Sequence, residues 1–336
     1  MDKQRRLLLG LMAAAPAMMA LPAAAEVGKH TFRISTGDPS SAPGPTGNRK
    51  FAELLAKASN GKMTIKTYDS AVLGNDVQMQ GMLRGGTMDF ALVGASTLGG
   101  LVKEFGVIDL PYSFRSAREA DAVLDGPMGV KLLDKLQAHG LVGLGFWEIG
   151  FRQVTNSKHP VTRLEDFDGL KIRTVQSPVF LEYFNSLGAN ATPMPINEVY
   201  TALETRAIDA QENPPSIISS QKFFEVQKYL SLTGHIYTPY VLLASQKTWS
   251  RLNDEERRLI VEAAAQARGF QRTLAREQNV KLLAELRTEM TVNELGPEEL
   301  ARLAEKAKPL REKLASAYGE AFMRDWVAAL EAAGAQ

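Results

Sequence analysis

"HTFRISTGDPSSAPGPTGNRKFAELLAKASNGKMTIKTY", residues 30–68, contains a strand, a helix and a second strand in succession. In residues 30–36 apolar and polar side chains alternate with the period of two that is typical of a strand. Residues 48–59 have apolar side chains at helical spacing, and residues 62–68 alternate again. The Gly- and Pro-rich residues 37–47 are predicted to form a loop. This unit predicts an α/β domain with a largely parallel sheet.

The alternation of strands and helices continues along the chain. The further predicted elements are a helix at about 75–84, a strand at 88–94, a helix at 117–140, strands at 141–147 and 151–155, and helices at 177–188 and 196–209, capped by Ser177 and Asn197. Ligands bind at the carboxyl ends of the strands in open α/β sheets. Thr36 and Ser96, at two such ends, are therefore candidate ligand contacts.

One predicted helix is long enough to connect two domains. The chain has 336 residues, which is typical of about two domains. Residues 253–288 contain no proline, and Gly269 is the one glycine among them. A single helix there would be roughly 50 Å long at 1.5 Å per residue. The alternative is two helices broken near Gly269.

The N-terminal segment has the features of a secretory signal peptide. "MDKQRR" is basic, "LLLGLMAAAPAMMAL" is apolar, and small residues end the segment at Ala25. This order predicts a signal peptide over residues 1–25, cleaved after Ala25. The paired Arg5 and Arg6 are compatible with twin-arginine export. A membrane anchor is the alternative, but the prolines and alanines of this segment make a poor spanning helix.

Charge and cysteine content restrict the partners and the compartment. The net charge is +1, and without residues 1–25 the chain keeps 36 basic and 37 acidic residues. This balance gives no support for a nucleic-acid partner. The chain has no cysteine, and so neither a disulfide framework nor the lipidated cysteine of a surface lipoprotein. We expect a soluble protein in a Gram-negative periplasm.

Catalytic and cofactor motifs are absent from the sequence. "GASTLGG" lacks the GxSxG spacing, and in "GLGFWEIG" Glu148 stands where a dinucleotide loop needs its third glycine. The four histidines have no metal-binding spacing: His30, His139, His159 and His235. No metal and no cofactor are predicted. The hypothesis from a different class is a secreted α/β enzyme acting on an organic acid, with Glu148 or Asp209 as the base.

Several segments together resemble one protein family. They are "LAKASNGKMTIKTYDSAVLGND" (55–76), "VIDLPYSFRS" (107–116), "GFRQVTNSKHPV" (150–161), "EDFDGLKIRT" (165–174), "LGANATPMPINEVYTALET" (187–205), "DAQENP" (209–214) and "FFEVQKYLSLTGH" (223–235). In this order they resemble the extracytoplasmic solute receptors of TRAP (tripartite ATP-independent periplasmic) transporters, of the dicarboxylate-receptor type. The resemblance covers nearly the whole chain after the signal peptide.

The resemblance implies a two-lobed periplasmic binding protein that closes on a small organic acid, with the long C-terminal helix bridging both lobes. The implied first lobe comprises residues 27–150 plus 239–279, and the second 151–238 plus 280–336. Two chain crossings between the lobes would form the hinge. The implied partners are a carboxylate ligand and the integral-membrane subunits of the transporter. We expect a monomer or a dimer.

The resemblance also assigns ligand contacts. In the family, the arginine of the "KIR" strand pairs with the ligand carboxylate, which implies this role for Arg173. Arg152 and Asn213, from the "GxR" and "QEN" segments, line the same cleft in the family. A guanidinium binds both oxygens of a carboxylate, which a lysine does not. Without the resemblance, we would interpret Arg173 as a solvated strand end, Arg152 as an ion-pair partner and Asn213 as a turn residue.

Three further residues are assigned less directly. Trp147 and Glu148, just before Gly150, are candidates for setting ligand size, and a packed indole is the alternative for Trp147. Arg206 stands where the family often has glycine, and we predict that it lies in solvent at a helix end.

The sequence leaves the ligand open. Receptors of the resembled family bind C4-dicarboxylates, 2-oxo acids, sugar acids or aromatic acids, and the common arginine reads only the carboxylate they share. We expect a small mono- or dicarboxylate rather than a uronate. A protein that presents the same ligand to a sensor kinase is a third functional hypothesis.

Overall fold

The computed structural model describes residues 26–335, and the predicted signal peptide, residues 1–25, lies outside them. The strands are β1 His30–Thr36, β2 Met63–Tyr68, β3 Phe90–Gly94, β4 Leu141–Phe151, β5 Gln153–Asn156, β6 Lys171–Thr174, β7 Asn190–Pro193, β8 Ala210–Asn213, β9 Tyr229–Leu232, β10 Tyr237–Ser245 and β11 Thr291–Glu294. The helices are α1 Pro43–Ala58, α2 Asp76–Gly85, α3 Ala117–Leu124, α4 Pro127–Lys135, α5 Pro178–Ser186, α6 Ile196–Glu204, α7 Pro215–Ser220, α8 Gln246–Trp249, α9 Asp254–Glu289, α10 Pro297–Lys306, α11 Lys308–Tyr318 and α12 Glu320–Gly334. None of these helices is both long and apolar enough to cross a membrane.

The strands form two sheets, each the centre of one lobe. The first sheet has the order β2-β1-β3-β10-β4, and the second has the order β11-β9-β5-β8-β6-β7. Strand β1 is parallel to β2 and β3, as predicted, whereas β10 is antiparallel to β3 and β4. The second sheet also contains both parallel and antiparallel pairs. Both sheets are therefore mixed, and the predicted two-lobed architecture is confirmed.

The chain passes between the sheets at three places: from β4 to β5, from β9 to β10, and along α9 to β11. Helix α9 is continuous through Gly269, which decides between the two alternatives of the sequence analysis. Asn253 caps it, and Glu256 completes a capping box. The helix contacts α1 and β4 in the first lobe and α7 and β11 in the second. It bridges both lobes, as predicted.

The C-terminal helices contact both lobes. Helix α11 lies against α5 and against a 3₁₀ turn at Lys103–Val107, and α12 packs on α3 and α4. Trp326 of α12 is buried against Phe114 with ring centroids 5.7 Å apart. The predicted lobe boundaries stay a prediction, and the segment 280–336 assigned to the second lobe also covers the first.

Several element boundaries differ from the sequence prediction. Helix α1 begins at Pro43, inside the predicted loop, because proline is well placed at a first helical position, where no N–H is needed. The predicted helix 117–140 is two helices, separated where Gly126 precedes Pro127. Asn197 lies inside α6, whose N-cap is Pro195, so its prediction as a cap was wrong.

Gly47 allows α1 to approach the rest of the first lobe closely. A Cβ at this position would lie 2.5 Å from Cζ3 of Trp147 and 2.7 Å from Cγ of Gln271. Both neighbours are fully buried, so neither has free space to move into. Gly269 in α9 is the opposite case, since a Cβ there has no heavy atom within 4 Å.

These two helical glycines give a matched pair for a stability measurement. We expect Gly47→Ala to lower the free energy of unfolding by about 1–2 kcal/mol, because overpacking outweighs the gain in helix propensity. Gly269→Ala should raise it by about 0.5–1 kcal/mol, because only propensity changes. Urea denaturation of the two variants tests both values. A stabilised Gly47→Ala would show that α1 has room to shift.

Candidate ligand-binding site

A cleft lies between the two lobes, at the carboxyl ends of several strands. Strands β1 and β3 of the first sheet lead into Asp38 and Ser96, and β6 and β8 of the second sheet carry Arg173 and Asn213. The lining residues are Asp38, Asn75, Asp76, Gly94, Ser96, Thr97, Ile149, Arg152, Arg173, Val175, Gln176, Pro195, Ile196, Asn213, Ile217, Thr238 and Tyr240. The cleft thus has the position expected for ligand binding in an open α/β fold.

Arg173 is a buried cation without an acidic partner. The alternation of β6 places Ile172 in the apolar core and Arg173 on the face towards the cleft, where it is 3% exposed. Its Nε and Nη2 donate to the carbonyl of Met194 at 2.8 and 2.5 Å, and among residues 26–335 it forms no ion pair. Burial lowers its pKa to about 10, which leaves it charged at neutral pH.

Arg152, in contrast, is neutralised within its own lobe. Its Nε forms a very short contact with a carboxylate oxygen of Glu212, and Nη2 donates to Oε1 of Glu212 at 2.9 Å. Nη2 also donates to Oδ1 of Asn213 at 2.9 Å, and the guanidinium carbon lies 5.3 Å from the centre of the Phe180 ring. Arg152 lines the cleft, but its charge is already paired.

Glu212 is shared between Arg152 and a buried histidine. His235 Nε2 lies 3.2 Å from Oε2 of Glu212, and its Nδ1 is 2.8 Å from the hydroxyl of Thr233. Burial raises the pKa of Glu212, but Arg152 and His235 outweigh it and the net shift is downward. Burial lowers the pKa of His235, which favours the neutral ring. The carboxylate of Glu212 therefore stays ionised beside Arg152.

Asn213 is the junction between this ion pair and a chain of polar side chains. Its Oδ1 accepts from Arg152, and its Nδ2 donates to Oε1 of Gln211 at 2.7 Å. Gln211 in turn donates to Thr155 at 2.8 Å. Asn213 lines the cleft as expected, and one proton of its amide is already committed to Gln211.

Ser96 contributes to a contact between the lobes. Its hydroxyl donates to Oδ1 of Asp109 at 2.6 Å, and the hydroxyl of Ser177 donates to Oδ2 at 2.8 Å. Ser177 precedes α5 of the second lobe, so the Asp109 carboxyl group joins the two lobes. Burial raises the pKa of Asp109 to about 7, against these two hydrogen bonds.

Three residues proposed from the sequence do not line the cleft. Trp147 is fully buried in the first lobe under α1 and α9, where Gly47 leaves room for its ring. Glu148 forms an ion pair with Arg276 of α9 at 2.7 Å. Thr36 is fully buried beneath the cleft at the end of β1. Each side chain packs into its own lobe instead of lining the cleft with Arg173, and its assignment as a ligand contact stays a prediction.

The two acids proposed as enzymatic bases are also committed elsewhere. Glu148 is paired with Arg276, and Asp209 is paired with Lys158 at 2.7 Å. Neither lines the cleft. Arg206 is exposed at the end of α6, in agreement with its predicted position in solvent. Among residues 26–335, no three His, Cys, Asp or Glu side chains are grouped as metal ligands.

Sequence reasoning missed two carboxyl groups of the cleft. Asp38 is 6% exposed and accepts a very short hydrogen bond from the hydroxyl of Tyr240. Asp76 is partly buried, and its Oδ2 accepts from the backbone N–H of Gly94 at 2.8 Å. In the sequence, Asp38 could have been recognised as a candidate from its position two residues after the end of a predicted strand, where ligands bind in α/β folds.

Both missed carboxyl groups are perturbed by their surroundings. Burial raises the pKa of Asp38 to about 6, against the hydrogen bond from Tyr240. Burial raises the pKa of Asp76 to about 7, against the hydrogen bond from Gly94 and with the nearby charge of Asp38 adding to the shift. The cleft therefore holds two carboxyl groups whose pKa values lie close to neutral pH, and one arginine without an acidic partner.

Comparison with protein families identifies the class of receptor. A model of "Bacterial extracellular solute-binding protein, family 7" matches residues 34–317, which include every cleft residue named above. The chain belongs to this family. The resemblance of the sequence to TRAP solute receptors is thereby confirmed.

Individual family 7 proteins support the same conclusion. The chain is 38% identical to the 2,3-diketo-L-gulonate-binding periplasmic protein YiaO of Escherichia coli over 277 residues, 82% of each chain. It is 32% identical to the C4-dicarboxylate-binding periplasmic protein DctP of Rhodobacter capsulatus over 335 residues, 99% of each chain. The sugar acid binding protein DctPAm of Advenella mimigardefordensis, solved with galactonate, matches with a TM-score of 0.89 and 42% identity, over 91% of this chain and 99% of that one.

The two cleft arginines should differ in their effect on stability. Arg152→Met leaves the buried Glu212 without its cation, and we expect the free energy of unfolding to fall by about 3–5 kcal/mol. Arg173→Met removes a buried charge that has no acidic partner, so we expect a change below about 2 kcal/mol in the ligand-free protein. Urea denaturation measures both. Equal losses would show that Arg173 also has a structural partner.

The raised pKa values predict a pH dependence. Asp38 and Asp76 hold protons more tightly in the folded state, so their contribution to stability is present below about pH 4 and is lost as the pH rises through about 6 and 7. We expect the stability of Asp76→Asn, relative to the wild type, to increase between about pH 5 and pH 8. Urea denaturation at several pH values tests this. A constant or falling difference would contradict it.

Proposed function

We propose that the protein is a periplasmic receptor that binds the carboxylate of an organic acid through Arg173 and delivers this acid to the membrane subunits of a TRAP transporter. The observation that carries the proposal is the buried guanidinium of Arg173, which no carboxylate of residues 26–335 neutralises. A buried charge is costly unless it is paired. A ligand carboxylate supplies this pair, and the planar guanidinium binds it through two parallel hydrogen bonds.

The ligand class rests on chemistry that the relatives share. Two of the relatives described above are named for 2,3-diketo-L-gulonate and C4-dicarboxylates, and the third was solved with galactonate; all of these carry a carboxylate. Arg173 is the group suited to that common feature, and Asn213 and Arg152 lie beside it in the cleft. The charge of Arg152 is neutralised by Glu212, so Arg152 is not a second free cation for the ligand. Its role in the site is to hold Asn213 in place through a hydrogen bond.

The receptor class is favoured over the enzyme hypothesis. The carboxylates proposed as bases, Glu148 and Asp209, are paired with cations outside the cleft. The cleft instead combines side chains of two lobes, as expected for closure around a ligand. We propose that closure bends the connections from β4 to β5 and from β9 to β10. Presentation of the ligand to a sensor kinase is distinguished from transport by a pull-down with the membrane subunits.

The location follows from the family and the N-terminal sequence. The two relatives named as binding proteins for diketogulonate and C4-dicarboxylates are named as periplasmic. We propose that residues 1–25 direct export and that cleavage follows Ala25. The expectation of a monomer or a dimer stays a prediction.

Substitution of Arg173 tests the proposed function. We expect Arg173→Ala and Arg173→Lys to lower the affinity for carboxylate ligands at least about 100-fold, because the two parallel hydrogen bonds are lost. The measurement is isothermal titration calorimetry on protein that has been unfolded and refolded to remove bound ligand. Arg206→Ala, which changes an exposed arginine, is the control. Wild-type affinity in Arg173→Lys, with the fold intact by circular dichroism, would refute the proposed pairing.

A further inference from the structure

The chemistry of the cleft opposite Arg173 is acidic, which a receptor that recognised only carboxylates would not need. Asp38 and Asp76 both line the cleft, and neither forms an ion pair with any residue of 26–335. Burial raises the pKa of Asp76, and the negative charge of Asp38 is close enough to add to this shift. Two acids without cations on one side of a binding cleft call for donors from the ligand.

Each carboxyl group has one oxygen left for such a donor. Oδ2 of Asp76 accepts from Gly94, and Oδ2 of Asp38 accepts from Tyr240. Within residues 26–335, the Oδ1 atoms of Asp38 and Asp76 form no hydrogen bond. Neither Oδ1 atom is among the fully buried atoms, so both are accessible from the cleft. The protein thus holds each carboxyl group through its Oδ2 atom and leaves its Oδ1 atom free to accept a hydrogen bond from a ligand.

The charges of the cleft disfavour a second ligand carboxylate. Arg152 is paired with Glu212, so Arg173 is the one cleft cation among the described residues that lacks an acid. A dicarboxylate would place one group on Arg173 and the other near Asp38 and Asp76. Like charges in a buried site repel, and no cation remains to compensate. The cleft matches an acid with a single carboxylate.

Hydroxyl groups fit the two acids better than an ammonium group does. The ammonium group of a zwitterionic amino acid brings a single positive charge, so one of two ionised acids would stay uncompensated. The remaining polar lining is neutral and offers amides and hydroxyls: Asn75, Thr97, Gln176, Thr238. Hydroxyls both donate and accept, so several along one chain satisfy the acids and these neutral groups together.

We propose that Asp38 and Asp76 accept hydrogen bonds from ligand hydroxyls, and that the ligand is a polyhydroxylated monocarboxylic acid whose carboxylate lies on Arg173. This inference rests on the proposed function, since Arg173 fixes the end of the ligand from which the hydroxyls extend. The pKa values raised to about 6 and 7 agree with it, because they reflect two carboxyl groups that are buried without a cationic partner.

The first experiment compares ligands of equal chain length. The refolded protein is titrated calorimetrically with threonate, butyrate, succinate and threonine, and with gluconate, hexanoate and adipate. We expect a hydroxylated acid of one of the two lengths to bind at least about 100-fold tighter than the deoxy acid and the diacid of that length. Tighter binding of succinate or adipate, or of threonine, would overturn the inference.

The second experiment assigns the preference to the two acids. We expect Asp38→Asn and Asp76→Asn each to weaken binding of the preferred hydroxylated acid about 10- to 100-fold and to leave binding of the deoxy acid unchanged. Glu119→Gln is the matched control, because Glu119 is a buried acid of the first lobe that pairs with Arg115 outside the cleft. Equal losses for both ligands, or no loss for either, would refute hydroxyl recognition by these acids.

The outcomes separate this inference from the proposed function. If Arg173→Lys loses all binding but the wild type prefers succinate, the carboxylate receptor stands and the hydroxyl inference fails. If the hydroxylated acid is preferred and Arg173→Lys binds it normally, the pairing with Arg173 fails while hydroxyl recognition by Asp38 and Asp76 stands.

Discussion

The cleft depends on holding one positive charge inside the protein without giving it a negative partner. The carboxylate of Glu212 is near enough to act on the pKa of Arg173, yet its oxygens are occupied by Arg152 and His235. Arg173 itself is oriented by the carbonyl of Met194, which fixes the guanidinium without neutralising it. Arg152 thus keeps Glu212 from neutralising Arg173, because it binds the Glu212 carboxylate itself.

This arrangement needs both sheets. The second lobe supplies Arg173 and the ion pair of Arg152. The first lobe supplies Asp38, which follows β1, and Asp76 of α2, which accepts a hydrogen bond from Gly94 at the end of β3. Each lobe alone therefore presents charges of one predominant sign towards the cleft. Arg173 forms no ion pair with either acid. In the proposed receptor the ligand links the two lobes electrostatically, and we expect closure and ligand binding to be coupled for this reason.

Local patterns in the sequence were sufficient for much of the fold. Period-two alternation predicted β1 and β2, and the absence of proline indicated a long helix at α9, although the alternative of a break near Gly269 stayed open. The break at Gly126 was overlooked because apolar spacing continues on both sides of it. Such errors are local, and they move boundaries without changing the architecture.

The site was less accessible to sequence reasoning, because its chemistry depends on partners distant in sequence. The alternation of side chains in β6 predicts the face of the sheet on which Arg173 lies. It does not predict that Arg173 has no acidic partner. Glu148 was proposed as a cleft residue from its neighbour Gly150, whereas its partner Arg276 lies 128 residues away. Asp76 begins α2, and its place beside Asp38 depends on its hydrogen bond to Gly94 at the end of β3, the strand that pairs with β1.

The position of β10 has a consequence for how the protein is made. This strand lies between β3 and β4, so the first sheet is incomplete until residue 245 has been synthesised. The strands before it are joined only by pairings that leave β4 detached from β3. Because such long-range pairing delays folding, we expect the first sheet to be completed late, after most of the chain has been synthesised.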